Sequence, residues 1–337
     1  MSLVRRPAPP TLYDVVPGSR NPPARAPRRS TGVLVIAIAL VAASCSRSDG
    51  DSRSRTAPST TQPSKPPSAA TPGTYTVGEL TETFVDTTRP TQSVGGQGNA
   101  PTRTLVTVIR YPQGKGPFPL IVLAHGQTGH PNKFTQLTTA WASAGFVVAA
   151  PVFPLTSNQA TFETIGDYVN QPADVSFVID QILAGSNDNH GPLARRVDKH
   201  HIGVAGLSLG GATVYGITFD NCCRDDRVDA GLVMAGFLLP YDDANEFPPV
   251  PLLIIHGNAD SRGRDPYAMA SPPKYLMTLE RPTHSPPFED TPDSADELVV
   301  TVTVDFWDAY LYEKRGALDT LSTDAMVPGV ATLEQQR

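Results

Sequence analysis

Residues 204–211, Val204-Ala-Gly-Leu-Ser208-Leu-Gly-Gly211, join an apolar run typical of a buried strand to an apolar run typical of a helix. Gly206 and Gly210 flank the serine, because a turn this tight leaves little room for side chains on either side. Such a turn exposes the Ser208 hydroxyl above the sheet and sets it at a helix start, where unpaired N–H groups face any oxyanion that forms. The pattern predicts a nucleophile elbow with Ser208 as the nucleophile. A purely structural glycine turn is the alternative.

The segments around this stretch alternate between strand and helix patterns. Two segments of alternating apolar and polar residues come first and predict an antiparallel pair near a sheet edge. Continuously apolar strands and amphipathic helices then follow one another, which predicts an α/β fold: a mainly parallel sheet with helices on both faces. The expected strands are 74–85, 103–110, 119–124, 146–150, 201–205, 228–235, 250–256 and 274–279, and the expected helices are 134–141, 173–184 and 209–219.

The last apolar segment predicts a final helix that starts at Ser294. The Ser294 hydroxyl would cap the helix while Glu297, three residues on, reaches back in a capping box. The apolar face of this helix would carry Leu298, Val302, Phe306 and Tyr310.

Charge is unevenly spread along the 337 residues, which hold 27 Lys and Arg against 33 Asp and Glu. Residues 1–72 hold ten basic and three acidic residues, which leaves 17 against 30 in the remainder. Nucleic-acid binding needs a positive surface that displaces counterions, so an acidic body without a Lys/Arg cluster argues against a nucleic-acid partner.

The first 45 residues have the pattern of an export signal. An apolar run, 32–43, follows two arginines, and as a helix it would rise about 18 Å, short of the roughly 30 Å hydrocarbon core. A signal peptide therefore fits better than a membrane span. Small residues precede Cys45 as in a bacterial lipobox, which predicts lipidation of Cys45 and a membrane anchor. Ordinary cleavage and secretion is the alternative, because Ala42 stands where leucine is usual.

Residues 46–72 are dominated by Ser, Thr, Pro, Arg and Ala. Such a segment cannot bury enough apolar surface to offset the entropy of ordering, so we expect a disordered linker. The pattern of a folded domain begins at Gly73. The predicted organisation is a signal peptide with an over-long basic segment at 1–45, a linker at 46–72 and one catalytic domain at 73–337.

A hydrolytic serine needs a base and an acid, and in α/β sheets such groups lie in loops after the carboxyl ends of strands. His284 is the predicted base, because it lies in a Pro-rich loop between the last expected strand and the last helix; a surface histidine is the alternative. Asp260 is the predicted acid in a short loop after a buried strand, and Asp265 is the runner-up. His125 and His256 end buried strands, which favours shaping a loop or bonding locally over acting as the base.

Four stretches together resemble the α/β-hydrolases, and within that fold the small lidless esterases: dienelactone hydrolases, chlorophyllases, platelet-activating-factor acetylhydrolases and bacterial cutinase-like polyesterases. They are His125-Gly126 after a buried strand, 206–211 at the elbow, 256–260 (His-Gly-Asn-Ala-Asp), and Thr283-His284 before the closing helix. The chain order Ser208, Asp260, His284 is also the order of that fold.

The resemblance implies a serine-dependent carboxylic-ester hydrolase that forms an acyl-enzyme and needs no cofactor or metal. It also implies that the backbone N–H groups of Leu209 and Gln127 bind the oxyanion. No large cap domain is expected, because the two candidate insertions, about 22 residues at 151–172 and about 14 at 236–249, are short and rich in loop-forming residues. An open site of this kind would take small-molecule or polymeric esters.

Other functions use the same residues. Peptide hydrolysis, thioester hydrolysis and acyl transfer need the same triad, since leaving-group preference depends on pocket residues. An inactive binding lipoprotein of the same fold is a further alternative, which a missing triad member would favour. The adjacent Cys222 and Cys223 predict either a vicinal disulfide or two buried thiols. The acidic residues at 220–229 lack the spacing of a calcium loop.

Overall fold

The computed structural model describes residues 73–93, 95–188, 190–241 and 246–337. The predicted signal peptide, Cys45 and the predicted linker lie outside the described residues and stay predictions. Within these ranges, no helix combines the length and the apolar character that crossing a membrane requires.

The described ranges alternate strands and helices as the sequence pattern predicts. The strands are β1 Val77–Asp86, β2 Arg103–Pro112, β3 Phe118–Ala124, β4 Val147–Pro151, β5 Val197–Leu207, β6 Ala230–Met234, β7 Leu252–Gly257, β8 Lys274–Leu279 and β9 Ala331–Gln336. The α-helices are α1 Thr135–Ala144, α2 Gln171–Asn187, α3 Leu209–Phe219, α4 Arg264–Met269, α5 Asp296–Tyr310 and α6 Ala317–Asp324.

In this part of the chain, nine strands form one sheet in the order β1-β2-β4-β3-β5-β6-β7-β8-β9. The six central strands, from β4 across to β8, pair in parallel. The antiparallel pairs lie at the edges, where β1 joins β2, β2 joins β4, and β8 joins β9. The predicted mainly parallel sheet and the predicted antiparallel pair at its edge are confirmed.

Alternate side chains of the central strands enter two separate cores, because successive residues of a strand point to opposite faces. In β3, Ile121 and Leu123 pack with residues of α1, α5 and α6, whereas Leu120 and Val122 pack with residues of α2 and α3. Helices therefore cover both faces of the sheet, as the sequence predicts.

Parallel pairing brings the carboxyl ends of β3, β5, β7 and β8 to the same edge of the sheet, and the loops that leave this edge carry His125, Ser208, Asp260 and His284. The two segments considered as insertions lie at this edge too. The first segment lies between β4 and α2, and its described residues hold a short 3-10 helix, Ile165–Asn170, but no α-helix. The second lies between β6 and β7, and its described residues hold no helix.

The predicted cap of the final helix is wrong. Helix α5 starts at Asp296. The side chain that bonds to the backbone just before this helix is Asp293 rather than Ser294, since Asp293 Oδ1 accepts a hydrogen bond from the N–H of Ala295 at 2.8 Å. The Asp293 N–H in turn donates to Asp296 Oδ2 at 2.9 Å. The Ser294 hydroxyl instead accepts a hydrogen bond from Arg281 Nη1 at 3.2 Å.

Helix α5 is also not the last element, since α6 and β9 follow it. Strand β9 pairs with β8 over six residues, yet most of its side chains are exposed and polar. A hydrophobic pattern could not reveal this strand, because an edge strand stabilised by backbone hydrogen bonds buries little apolar surface.

Buried charge links the first part of the sheet to α2. Arg103 of β2 is fully buried and donates to both carboxylate oxygens of Asp167, at 3.0 and 2.9 Å, and to both of Asp174, at 2.7 and 2.6 Å. Asp174 is also paired with the half-buried Arg89 at 2.9 Å. Breaking such a group by removing its central cation leaves buried carboxylates without their main partner.

We therefore expect Arg103→Ala to lower the free energy of unfolding by about 3–5 kcal/mol at pH 7. Arg264→Ala is the control, because its ion pair with Glu334 is exposed at both ends and should contribute about 1 kcal/mol or less. Urea unfolding followed by circular dichroism measures both. Equal losses in the two variants would contradict this account of the buried cluster.

Candidate active site

Ser208 lies at the sharp turn between β5 and α3. Its backbone has φ 55° and ψ −113°, a conformation that side-chain-bearing residues rarely adopt. A Cβ at Gly206 would clash with the carbonyl of Gly210, and a Cβ at Gly210 would clash with the carbonyl of Ala124. The two flanking glycines are therefore required by the close approach of three backbone segments, as the sequence argument expects.

The Ser208 hydroxyl meets the histidine that the sequence singles out. Ser208 Oγ lies 2.9 Å from Nε2 of His284, although the two residues are 76 positions apart. That distance is within the range of a hydrogen bond. The His284 side chain is 44% exposed and Ser208 is half-buried, so the pair is open to solvent on one side.

Asp260 lies on the other side of the imidazole. Its Oδ2 is 3.9 Å from Nδ1 of His284, which is an ion-pair distance but longer than a hydrogen bond. The runner-up, Asp265, is exposed in the first turn of α4. Of the two aspartates weighed in the sequence, Asp260 is thus the one whose carboxylate faces His284.

Arg262, a residue that no sequence motif singles out, binds the Asp260 carboxylate directly. The Arg262 backbone N–H and Nε donate to Asp260 Oδ1 at 3.1 and 2.8 Å, and Nη2 donates to Oδ2 at 2.7 Å. The guanidinium also lies over the ring of Phe237, 4.8 Å from its centroid. The only sequence signal was an arginine two residues after an aspartate, a spacing that is common in exposed turns.

These neighbours set the protonation of the site. Burial lowers the pKa of His284 below its usual range and the Arg262 guanidinium lowers it further, while Asp260 and Glu289 act in the opposite direction. Burial raises the pKa of Asp260, but the hydrogen bonds and charge of Arg262 outweigh it and hold that pKa below its usual range. At neutral pH the pair is therefore a carboxylate and a neutral imidazole.

The loop after β3 passes directly over the serine. A Cβ at Gly126 would lie 3.3 Å from the Cβ of Ser208 and 3.2 Å from the carbonyl oxygen of Leu207. Gln127 follows in this loop and is exposed. On the opposite side, Leu209 is the first residue of α3, so no carbonyl lies four residues earlier within the helix for its N–H. Of the two predicted donors of an oxyanion hole, Leu209 thus adjoins Ser208 in the chain, and Gln127 follows the glycine that lies against Ser208.

His125 holds this loop in place. It is buried, its Nδ1 bonds the carbonyl of Gly126 at 2.7 Å, and its Nε2 accepts from the N–H of Phe153 at 3.1 Å. Burial lowers the pKa of His125 to about 4, so the ring is neutral. The expected role of His125 in shaping the loop agrees with these contacts.

His256 also bonds locally, as the sequence analysis favoured. Its Nδ1 contacts the carbonyl oxygen of Asp260, and its Nε2 lies 3.1 Å from the hydroxyl of Thr278. These bonds join the end of β7 to β8 and to the loop that carries Asp260.

The cysteines lie beside an acidic residue in the described part of the chain. One group there brings three metal-ligating side chains together: Asp220, Cys222 and Cys223. The two sulfur atoms are bonded to each other as a vicinal disulfide, so they are not thiolate ligands. Of the two states that the sequence left open for these cysteines, the structure has the disulfide.

The comparison with known proteins points to the same fold. Residues 71–231 match the family model described as Chlorophyllase, a family of the α/β-hydrolase superfamily. The match includes His125 and Ser208 but ends before Asp260 and His284. No curated protein matches the chain.

The conformation of Ser208 gives a test that does not depend on activity. Glycine at this position relieves the backbone strain, which should raise the free energy of unfolding by about 1–3 kcal/mol. The greater entropy of an unfolded chain with glycine lowers that free energy by roughly 0.4–1 kcal/mol. We expect Ser208→Gly to unfold with a free energy about 1 kcal/mol higher than Ser208→Ala, measured in urea. Both variants lack the hydroxyl, so the difference reports the backbone. A less stable glycine variant would contradict the strain.

Proposed function

We propose that this chain, which has an α/β-hydrolase fold and matches the chlorophyllase family model over residues 71–231, is a serine-dependent carboxylic-ester hydrolase. We also propose, from the sequence of residues 1–72, that it is exported to the cell envelope. The observation that carries the proposal is the 2.9 Å contact between Ser208 Oγ and His284 Nε2 at the turn between β5 and α3. A hydroxyl on a strained turn beside a neutral imidazole is an arrangement suited to nucleophilic attack.

In the proposed reaction, Ser208 Oγ attacks the ester carbonyl while His284 Nε2 takes its proton. The imidazolium then gives that proton to the leaving alcohol, and an acyl-enzyme forms. Water, deprotonated by the same imidazole, releases the acid and restores the serine. The low pKa of His284 favours this role, because a base must be unprotonated before it can accept the proton.

Asp260 orients the imidazole and stabilises its cation in this proposal. The carboxylate is 11% exposed and negatively charged, and it faces Nδ1 of His284. Closing the 3.9 Å separation to a hydrogen bond requires a shift of about 1 Å, and catalytic hydrogen bonds often tighten in this way only when substrate binds.

The oxyanion of the tetrahedral intermediate would lie between the N–H groups of Leu209 and Gln127. Leu209 contributes the first N–H of α3, where the helix dipole is positive. The Gly126–Gln127 loop approaches Ser208 closely, and His125 bonds it to Phe153 just after β4. Preorganised donors of this kind need no reorganisation as charge develops.

The proposed substrates are short soluble esters, or an ester bond within an extended polymer. The half-exposed His284 supports an open cleft, and so does the lack of α-helix in the described residues of the loops after β4 and β6. Peptides and thioesters are alternative substrates of the same triad, and the described contacts favour none of them over esters.

We expect Ser208→Ala and His284→Ala to lower kcat/KM for a short-chain ester by about 10⁴-fold or more, because the nucleophile or its base is lost. Asp260→Asn should lower it by about 10²-fold or more, since the amide cannot stabilise the imidazolium. Initial rates on a soluble chromogenic ester measure all three variants.

Asp265→Asn is the matched control, because Asp265 is an exposed aspartate five residues from Asp260. It should change kcat/KM by about twofold or less. Undiminished turnover in Ser208→Ala would refute the triad, and a larger loss in Asp265→Asn than in Asp260→Asn would transfer the role of the acid.

The proposed attachment to the envelope rests on the sequence of residues 1–72. The signal pattern, Cys45 and the linker together support a mature chain that starts at a lipidated Cys45 and holds its catalytic domain away from the membrane. One acyl chain binds membranes only marginally, so stable attachment requires more than one.

We expect the wild-type chain to partition with the membrane fraction and Cys45→Ser to be released from it. Mass spectrometry of the mature N-terminus should find Cys45 carrying acyl groups. An unmodified N-terminus at another residue would establish plain secretion instead, whatever the outcome for ester hydrolysis.

A further inference from the structure

Asp260 owes its position to Arg262 more than to His284. Three donors of Arg262 bind the carboxylate, at 3.1, 2.8 and 2.7 Å, whereas His284 Nδ1 is 3.9 Å away. Paired N–H donors from one guanidinium fix both the distance and the plane of a carboxylate. The orientation of Asp260 toward the imidazole is therefore set by the arginine.

A residue of a second loop, Phe237, also contacts Arg262. Phe237 follows β6, and its half-buried ring lies under the guanidinium with 4.8 Å between the centroid and Cζ. A planar guanidinium stacks on an aromatic face in a way that a lysine ammonium cannot reproduce. Loops after two neighbouring strands thus fix the arginine, and through it Asp260.

The charges that act on His284 come from two loops. Asp260 and Arg262 lie in the loop after β7, and Glu289 lies in the loop before α5. Glu289 is partly engaged elsewhere, because Lys133 lies 3.6 Å from it. Among the described residues, the charged groups that act on the imidazole are thus one cation and two carboxylates, and the cation is bonded to the carboxylate that would stabilise an imidazolium.

We propose that Arg262 is a positioning residue of the esterase site: it fixes the Asp260 carboxylate in front of His284 and limits how strongly that carboxylate stabilises the imidazolium. This inference rests on the proposed function. Two effects follow. The paired N–H donors of the guanidinium set the geometry of Asp260, and the charge of the guanidinium acts on His284. Substitutions can separate the two effects.

The charge effect has a definite sign. Burial and then the Arg262 charge lower the pKa of His284, against Asp260 and Glu289. The base works only when neutral, so kcat/KM falls as the pH drops through this pKa, and a low pKa preserves activity in mild acid. Removing the cation raises the pKa and moves the acid limb of the pH profile to higher pH.

Three variants separate charge from geometry. Arg262→Gln loses both the charge and the paired guanidinium donors. We therefore expect kcat to fall by about tenfold to a hundredfold, and the acid limb of the kcat/KM profile to move to higher pH. Arg262→Lys keeps the charge but not the paired donors, so kcat should fall with the acid limb unmoved. Arg264→Gln removes an exposed arginine two residues away, paired with Glu334, and should change neither quantity.

Two measurements decide the outcome: the pH profile of kcat/KM on a soluble short-chain ester, and the titration of the His284 ring by NMR in the same full-length variants. An unmoved acid limb in Arg262→Gln, an undiminished kcat, or an equal shift in Arg264→Gln overturns the proposal. Circular dichroism confirms that each variant is folded, which is expected because the Arg262 side chain is 43% exposed.

The NMR titration keeps this proposal separate from the proposed function. A wild-type chain without esterase activity would refute the function, yet the His284 titration would still report whether Arg262 depresses the pKa of the ring. An active wild type whose His284 titrates at the same pH with and without Arg262 would refute the inference alone.

Discussion

The close approach of three backbone segments around Ser208 is the constraint on which the site depends. Side chains at Gly206 or Gly210 would clash with the carbonyls of Gly210 and Ala124, so β3, β5 and the start of α3 meet without any side chain between them. At this contact Ser208 takes up its strained conformation immediately before α3, and Gly126 of the loop after β3 lies against it. The hydroxyl, the helix terminus and the loop are therefore fixed by one packing arrangement.

Much of the fold was predictable because its signals are local and repeated. Strands buried on both faces read as continuous apolar runs, and parallel pairing brings the ends of β5, β7 and β8 to one edge, so loop histidines and aspartates there were the candidates for the site. The 2.9 Å contact between Ser208 and His284 fits that argument. Strand β9 could not be predicted in this way, because an exposed edge strand lacks an apolar pattern.

Other features could not be predicted because they depend on contacts between distant loops. Arg262 looks like an ordinary turn residue until the loop after β6 brings Phe237 beneath its guanidinium. Ser294 has the expected spacing for a capping box, yet Asp293, whose carboxylate is paired with Arg281, bonds the N–H of Ala295 instead. The choice between thiols and a disulfide at Cys222 and Cys223 likewise depends on the local backbone, which sequence spacing does not determine.

The central claim is that Ser208 is an activated nucleophile. Reaction of the full-length protein with a fluorophosphonate, followed by intact mass and peptide mapping, tests it without knowledge of the natural substrate. We expect one adduct per chain, on the peptide that contains Ser208, and we expect it to form more slowly as the pH falls through the pKa of His284. A chain that stays unmodified, or an adduct on a different residue, would contradict the claim.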